Sequence, residues 1–152
     1  MPDDAEVQQL VAAARGAMTH AHAPYSRFAV GAAVRLTDGS VITGCNFENA
    51  SYGLSLCAET VALASVNAQG RFADVEAIAV VGAAMDGGAE ALVTPCGRCR
   101  QIMNEAEQMA GRPLAIHCAT PGGERILTFT VAELLPHAFG PAKLGIGLQM
   151  KS

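Results

Sequence analysis

Cys57-Ala58-Glu59-Thr60-Val61-Ala62-Leu63-Ala64-Ser65-Val66-Asn67-Ala68 is the stretch around which the rest of the chain is organised. It favours helix and is apolar or small on nearly every side, which predicts a buried helix. Ser55 is placed to cap it, with Cys57 in the first turn, where free N–H groups and the positive end of the dipole stabilise a thiolate. Its complement is Pro95-Cys96-Gly97-Arg98-Cys99. Thr94 followed by Pro95 reads as a cap and a first-position proline, opening another helix with Cys96 and Cys99 in its first turn. Three thiols and one carboxylate make a metal site with a base beside it. Zinc with thiolate ligands is tetrahedral, and three protein ligands leave the fourth position to water. Bound zinc brings the pKa of its water to about 7, and a nearby carboxylate that is not a ligand can move protons. Glu59 is the candidate for that role.

Cys-x-x-Cys spacing also occurs in redox pairs and in closed structural zinc sites. A redox pair has no need of a separate Cys-x-Glu, and a closed site wants a fourth Cys or His. His20, His22, His117, His137, Cys45 and Cys118 are the possible donors. Cys45 and Cys118 fall within expected strands, where a free cysteine behaves as a small hydrophobe, and both are read as core. No histidine has a helpful partner spacing. An open, catalytic site is the favoured reading; a non-catalytic zinc module and a thioredoxin-like oxidoreductase stand behind it.

Outward from this pair, Val7, Leu10, Val11, Ala14 and Met18 have helical spacing, with Asp3 or Asp4 as cap and an expected end near Ala23-Pro24. Phe28 to Leu36 and Val41 to Asn46 are strand-like runs around Thr37-Asp38-Gly39-Ser40, which predicts a hairpin with a type I′ turn. Asn46 and Glu48, two residues apart, share a side if the chain is still extended there. Val75 to Val81 reads as a buried strand and Asp86-Gly87-Gly88 as a surface loop. Cys99, Ile102, Met103, Ala106 and Ala110 form the apolar stripe of the next helix, with Arg98, Gln101, Asn104, Glu105 and Gln108 off it. Strands over Leu114–Ala119 and Arg125–Thr130 flank a turn at Pro121-Gly122-Gly123. Thr130-Val131-Ala132-Glu133 has capping-box spacing, opening a helix that stops at Pro136 before a tail with Phe139. The order α-β-β-α-β-α-β-β-α predicts an α/β fold with a layered sheet covered on both faces.

A length of 152 residues suits one domain, residues 1–152. Charged residues are 16% and hydrophobic ones 51%, so we expect subunits to cover part of the surface. No apolar run reaches the roughly 18 residues of a membrane span, and Met1-Pro2-Asp3-Asp4 lacks a basic leader, which together predict a cytoplasmic protein without a membrane partner. A net charge of −4 argues against nucleic acid and for a small substrate.

The ligand-x-Glu and Pro-Cys-x-x-Cys elements are the signature of zinc deaminases, and nearly the whole chain resembles the small homotetrameric cytidine deaminases. Tyr25-Ser26-Arg27-Phe28-Ala29-Val30-Gly31-Ala32-Ala33 is similar to that family's first strand, and Asn46-Phe47-Glu48-Asn49-Ala50-Ser51-Tyr52-Gly53 to its nucleoside-binding segment. The resemblance implies a three-layer α/β/α sandwich with a mixed sheet of about five strands, and one Zn²⁺ per subunit on Cys57, Cys96 and Cys99. It implies hydrolytic deamination of cytidine and deoxycytidine in pyrimidine salvage, with Glu59 as proton shuttle. Phe28 would lie against the pyrimidine, Asn46 and Glu48 would hold the ribose hydroxyls, and Ala50 and Tyr52 would add contacts in the same segment. Ala58 would offer its backbone to the base, and Phe139 would approach a neighbouring subunit's site, since sites in the tetramer lie near interfaces. A deaminase of another aminopyrimidine nucleoside, of the blasticidin S type, is the nearest rival. Thr60 departs from the many members with arginine there; Arg98, or less so Arg100, is then the residue expected to offset the zinc–thiolate charge.

Overall fold

The computed structural model describes residues 4–87 and 92–146. Helix α1 (Asp4–Met18) leads into the antiparallel hairpin of β1 (Phe28–Leu36) and β2 (Val41–Cys45); α2 (Ala58–Ala68), β3 (Val75–Ala84), α3 (Gly97–Ala110), β4 (Ala115–Ala119), β5 (Ile126–Phe129) and α4 (Val131–Leu134) follow. The expected element order is therefore observed. The five strands form one mixed sheet, β2-β1-β3-β4-β5, in which only β3 and β4 run parallel.

Side-chain size sorts the layers. Ala33, Ala77, Ala79 and Ala119 present a shallow face to α1, which buries Leu10, Val11 and Ala14 against them. At Gly31 any Cβ would strike the Ala14 carbonyl and lie 2.7 Å from the Met18 nitrogen, so glycine permits this close approach. Val34, Ile78, Val80 and Ile116 project the other way, onto Leu63 and Val66 of α2 and Met103 of α3. Each fully buried aliphatic side chain contributes about 1.5–3 kcal/mol. Gly44 lets α2 lie on β2, because a Cβ there would be 2.6 Å from the Ala62 nitrogen and 2.7 Å from the Ala58 oxygen. The start of α2 is thus fixed against the sheet.

Several local expectations are corrected. Helix α1 ends at Met18, short of Ala23-Pro24. His22 is drawn into an extended pairing, with its N–H on Asn46 O at 3.0 Å and its carbonyl accepting Glu48 N–H at 2.8 Å, which no helix could supply. Asp4 lies in the first turn of α1, and Asp3 falls outside the described residues, as does Gly88. The hairpin turn is not type I′: of its central residues only Gly39 is left-handed (φ 90°). Leu36 O accepts Gly39 N–H and Leu36 N–H reaches Ser40 O, a three-residue loop closed by a left-handed glycine.

Both helices that carry the selected cysteines begin one residue or more later than the sequence suggested. Cys57 is itself the N-cap of α2, and Cys96 that of α3. Leu56 is held extended by paired backbone bonds of 2.9 Å with Phe47, so α2 cannot start before Cys57. Ser55 instead accepts the Asn49 N–H on its hydroxyl. Before α3, Pro95 O is taken by Arg100 Nε at 2.7 Å and Thr94 Oγ1 by Arg100 Nη2 at 3.1 Å, leaving neither residue to start a helix. Helix α2 is also not buried all round: Ala64 is exposed and Val61 half-buried. Cys118 is core, whereas Cys45 is only half-buried. The capping box at Thr130 and Glu133 is formed as expected.

Candidate active site

Two helix N-termini converge beside β1 and β3, and each begins with a cysteine. Their carbonyls already accept the first helical bonds, Val61 N–H to Cys57 O and Arg100 N–H to Cys96 O, both 3.0 Å. The sulfurs are thereby set at the positive ends of α2 and α3, with Cys99 in the first turn of α3. Cys57 Sγ and Cys96 Sγ lie 3.6 Å apart, and the three sulfurs of Cys57, Cys96 and Cys99 all fall within 4.8 Å of one another.

Tetrahedral zinc with Zn–S bonds near 2.3 Å places sulfurs about 3.8 Å apart, so the cluster has the span and chemistry of a zinc ligand set. Among the described residues this is the only such grouping of three or more Cys, His, Asp or Glu donors, and Glu59 stands outside it. Cys57 is drawn down to about 6, chiefly by the hydrogen bond from Cys99, with Cys96 and the Arg98 charge assisting. Cys99 moves the opposite way, because its own S–H is donated to the Cys57 sulfur and because it is buried near Glu59.

Glu59 is 4% exposed, and its carboxyl is pushed up to about 7 by burial, with the charge of Cys57 adding to it. A carboxyl poised there can both take and give a proton near neutrality. It lines a cavity of about 290 Å³ with Phe28 and Val30 of β1, Asn46, Glu48, Cys57, Ala58 and Cys96. Seven of the sequence-selected residues thus meet at one cavity, and Cys99 stands completely buried within the same sulfur cluster.

The polar wall is pre-set. Asn46 Oδ1 accepts Val30 N–H at 2.9 Å and Nδ2 donates to Phe28 O at 2.8 Å, leaving a second amide hydrogen and a second lone pair for a ligand. Glu48 accepts the Ser26 hydroxyl and the N–H groups of Tyr25 and Ser26, both at 3.1 Å. The Ser26 hydroxyl is the main reason that the Glu48 carboxyl lies below its ordinary range.

Three sequence-selected residues lie elsewhere. Tyr52 is exposed beside Tyr25, ring centroids 5.6 Å apart, over a neighbouring hollow that shares Glu48. Ala50 is exposed, and so is Phe139, whose carbonyl is held by Gln101 Nε2 at 2.7 Å and Asn104 Nδ2 at 3.2 Å. Sequence reasoning missed Ser26, Val93 and Thr94. Only proximity to Phe28 and to Pro95 could have pointed to them, since none has motif spacing of its own. Arg98 Nη1 reaches Ser55 O at 3.4 Å near Cys57, whereas Arg100 is engaged by Pro95 O, Thr94 Oγ1 and Leu134 O.

A zinc ion that only props up a fold is sealed by four protein ligands, whereas one left open next to a buried proton carrier belongs to the zinc hydrolases. Residues 4–110 match the family model of the cytidine and deoxycytidylate deaminase zinc-binding region, and the chain belongs to this family. A cytidine deaminase of Halalkalibacterium halodurans is 46% identical over 132 residues, 87% of this chain and 92% of the relative. One from Mycobacterium tuberculosis is 43% identical over 141 residues, 92% of this chain and 93% of that one. The crystal structure of a Burkholderia pseudomallei cytidine deaminase superposes with a TM-score of 0.75 at 43% identity, covering 87% of this chain and 98% of that chain.

Proposed function

We propose that this protein is a zinc-dependent hydrolase that converts cytidine and deoxycytidine to uridine and deoxyuridine with release of ammonia. The observation that carries the reading is Glu59: buried at the cavity, against three convergent thiols, yet outside their cluster. Cys57, Cys96 and Cys99 would hold the zinc, which when bound supplies a Lewis acid and a water of lowered pKa.

The chain's own groups do the rest. A Glu59 carboxylate oxygen takes the proton of the attacking water and gives it to the pyrimidine N3. The water oxygen bonds to C4, Glu59 relays the second water proton to the 4-amino nitrogen and the C4–N bond breaks, so that water and cytidine become uridine and ammonia. Phe28 and Val30 would give the base an apolar wall and the Ala58 backbone would orient the ring, a reading their shared place on the cavity lining supports. Asn46 and Glu48 would take the ribose hydroxyls; their existing bonds to β1 and to Tyr25 and Ser26 support this, because they arrive pre-oriented. Ala50, Tyr52 and Phe139 would then act at the rim, Phe139 on a neighbouring subunit's site.

We further propose one domain over residues 1–152, assembled as a homotetramer, in the cytoplasm, serving pyrimidine salvage. Assembly is supported by the half-covered α2 face, where Val61 and Ala64 adjoin the exposed Phe47 and form an apolar hollow. No described helix is long and apolar enough to cross a membrane. The test is loss of the cytidine ultraviolet band with stoichiometric ammonia, run beside zinc-loaded Glu59→Ala. Turnover in the first and none in the second is expected; a zinc-replete, folded wild type that leaves cytidine untouched would overturn the proposal.

A further inference from the structure

Zn²⁺ on three thiolates carries a formal charge of −1, and a metal made that electron-rich is a weakened Lewis acid unless groups around the sulfurs draw charge away. Two devices act on the outer sulfurs: the helix N-termini at Cys57 and Cys96, and the Arg98 charge near Cys57. Cys99, in the first turn of α3 and fully buried, shares that N-terminus but gains nothing from the Arg98 charge.

What touches Cys99 is Thr60, Oγ1 to Sγ 3.3 Å. Helical hydroxyls commonly fold back on the carbonyl four residues earlier. Ser65 does so in the same helix, with Oγ on Val61 O at 2.8 Å. Thr60 instead reaches across to α3. A metal-bound Cys99 is a thiolate without a hydrogen, so the only proton available between the two atoms is that of the hydroxyl.

We propose that Thr60 is a positioning residue for the metal centre: its hydroxyl donates to Cys99 Sγ, withdraws charge from the buried sulfur and fixes that sulfur's direction. The proposal rests on the reading that Cys57, Cys96 and Cys99 hold zinc. A hydroxyl of this kind does for the buried thiolate what a cation does for an exposed one, without a buried charge that would itself need a partner.

The test compares Thr60→Val, which keeps the shape and loses the hydroxyl, with Thr60→Ser, which keeps the hydroxyl. Each is loaded with zinc for kinetics and with cobalt(II) for spectroscopy. Loss of the donor raises the energy of the sulfur lone pair, so the thiolate-to-cobalt charge-transfer band of the valine variant should move to longer wavelength. Its kcat should fall roughly 10- to 100-fold, the range for loss of groups that support metal ligands, with KM much less affected. The serine variant should restore both. If Thr60→Val does not fold, Thr60→Ala gives the same comparison. A band and kcat unchanged without the hydroxyl would overturn the proposal, as would a serine variant as impaired as valine, which would mean methyl packing. Wild-type protein that takes up no zinc would overturn this proposal and the ligand assignment together.

Discussion

At the scale of single residues, Glu59 combines burial with the neighbourhood of three thiols, and its consequence is a separation of two functions. Glu59→Gln should keep one zinc per chain by metal analysis yet lose roughly 10²- to 10⁴-fold in kcat, the usual range for a general acid–base group. Asn46 is different, because its amide ties Phe28 to Val30 as well as facing the cavity. Asn46→Ala should therefore lower unfolding stability by about 1–3 kcal/mol in urea titration and raise KM for cytidine. The grouping of Cys57, Cys96 and Cys99 beside Glu59 was legible in the sequence because metal chemistry demands particular atoms at particular spacing. Ser26, Thr94 and the Thr60 contact were not, since a hydroxyl's partner depends on how helices and loops cross.

At the scale of elements, the order of helices and strands was legible throughout, and the errors fall largely at element ends and turns. Propensity marked Ser55 and Thr94 as caps, but the backbone pairing of Leu56 with Phe47 and the grip of Arg100 on Thr94 and Pro95 decided otherwise. Of the α3 residues that spacing placed off the apolar stripe, Gln101, Asn104 and Gln108 bind the tail backbone at Phe139 O and Ala142 N, partners that spacing could not name. These amides leave no room at Gly140, where a Cβ would crowd Asn104 Nδ2 and lie 2.9 Å from Gln108 Oε1. Gly140→Ala should loosen the tail, seen as faster proteolysis after Phe139, while the zinc content stays unchanged. Gly44→Ala presses on backbone rather than on side-chain ends, and we expect about 1–3 kcal/mol of lost stability, with weaker zinc retention, because α2 carries Cys57.

At the scale of the whole molecule, the buried Arg35 and His117 bear on how the fold responds to acid. His117 Nδ1 meets Thr128 Oγ1 at 2.8 Å, and burial with the Arg35 charge lowers the imidazole from 6.5 to about 4. Above pH 6.5 the ring is neutral folded or unfolded, and its contribution to stability is fully present; between 6.5 and 4 only the unfolded chain takes the proton, so that contribution is lost as pH falls. The effect is on the order of 2–3 kcal/mol. Urea titrations of wild type and His117→Gln at pH 7.5 and 5 should show a shallower decline in the variant; parallel declines would assign the acid sensitivity to other groups. The position of the cysteines in the topology has a separate effect. Cys57 precedes and Cys96 follows β3, the middle strand of the sheet, so a bound ion cinches the chain into a loop around its own centre. Removing the ion reopens that loop and returns its configurational freedom to the unfolded chain. Chelation should therefore slow refolding of the entire sheet and lower the melting temperature, rather than merely empty a cavity beside it.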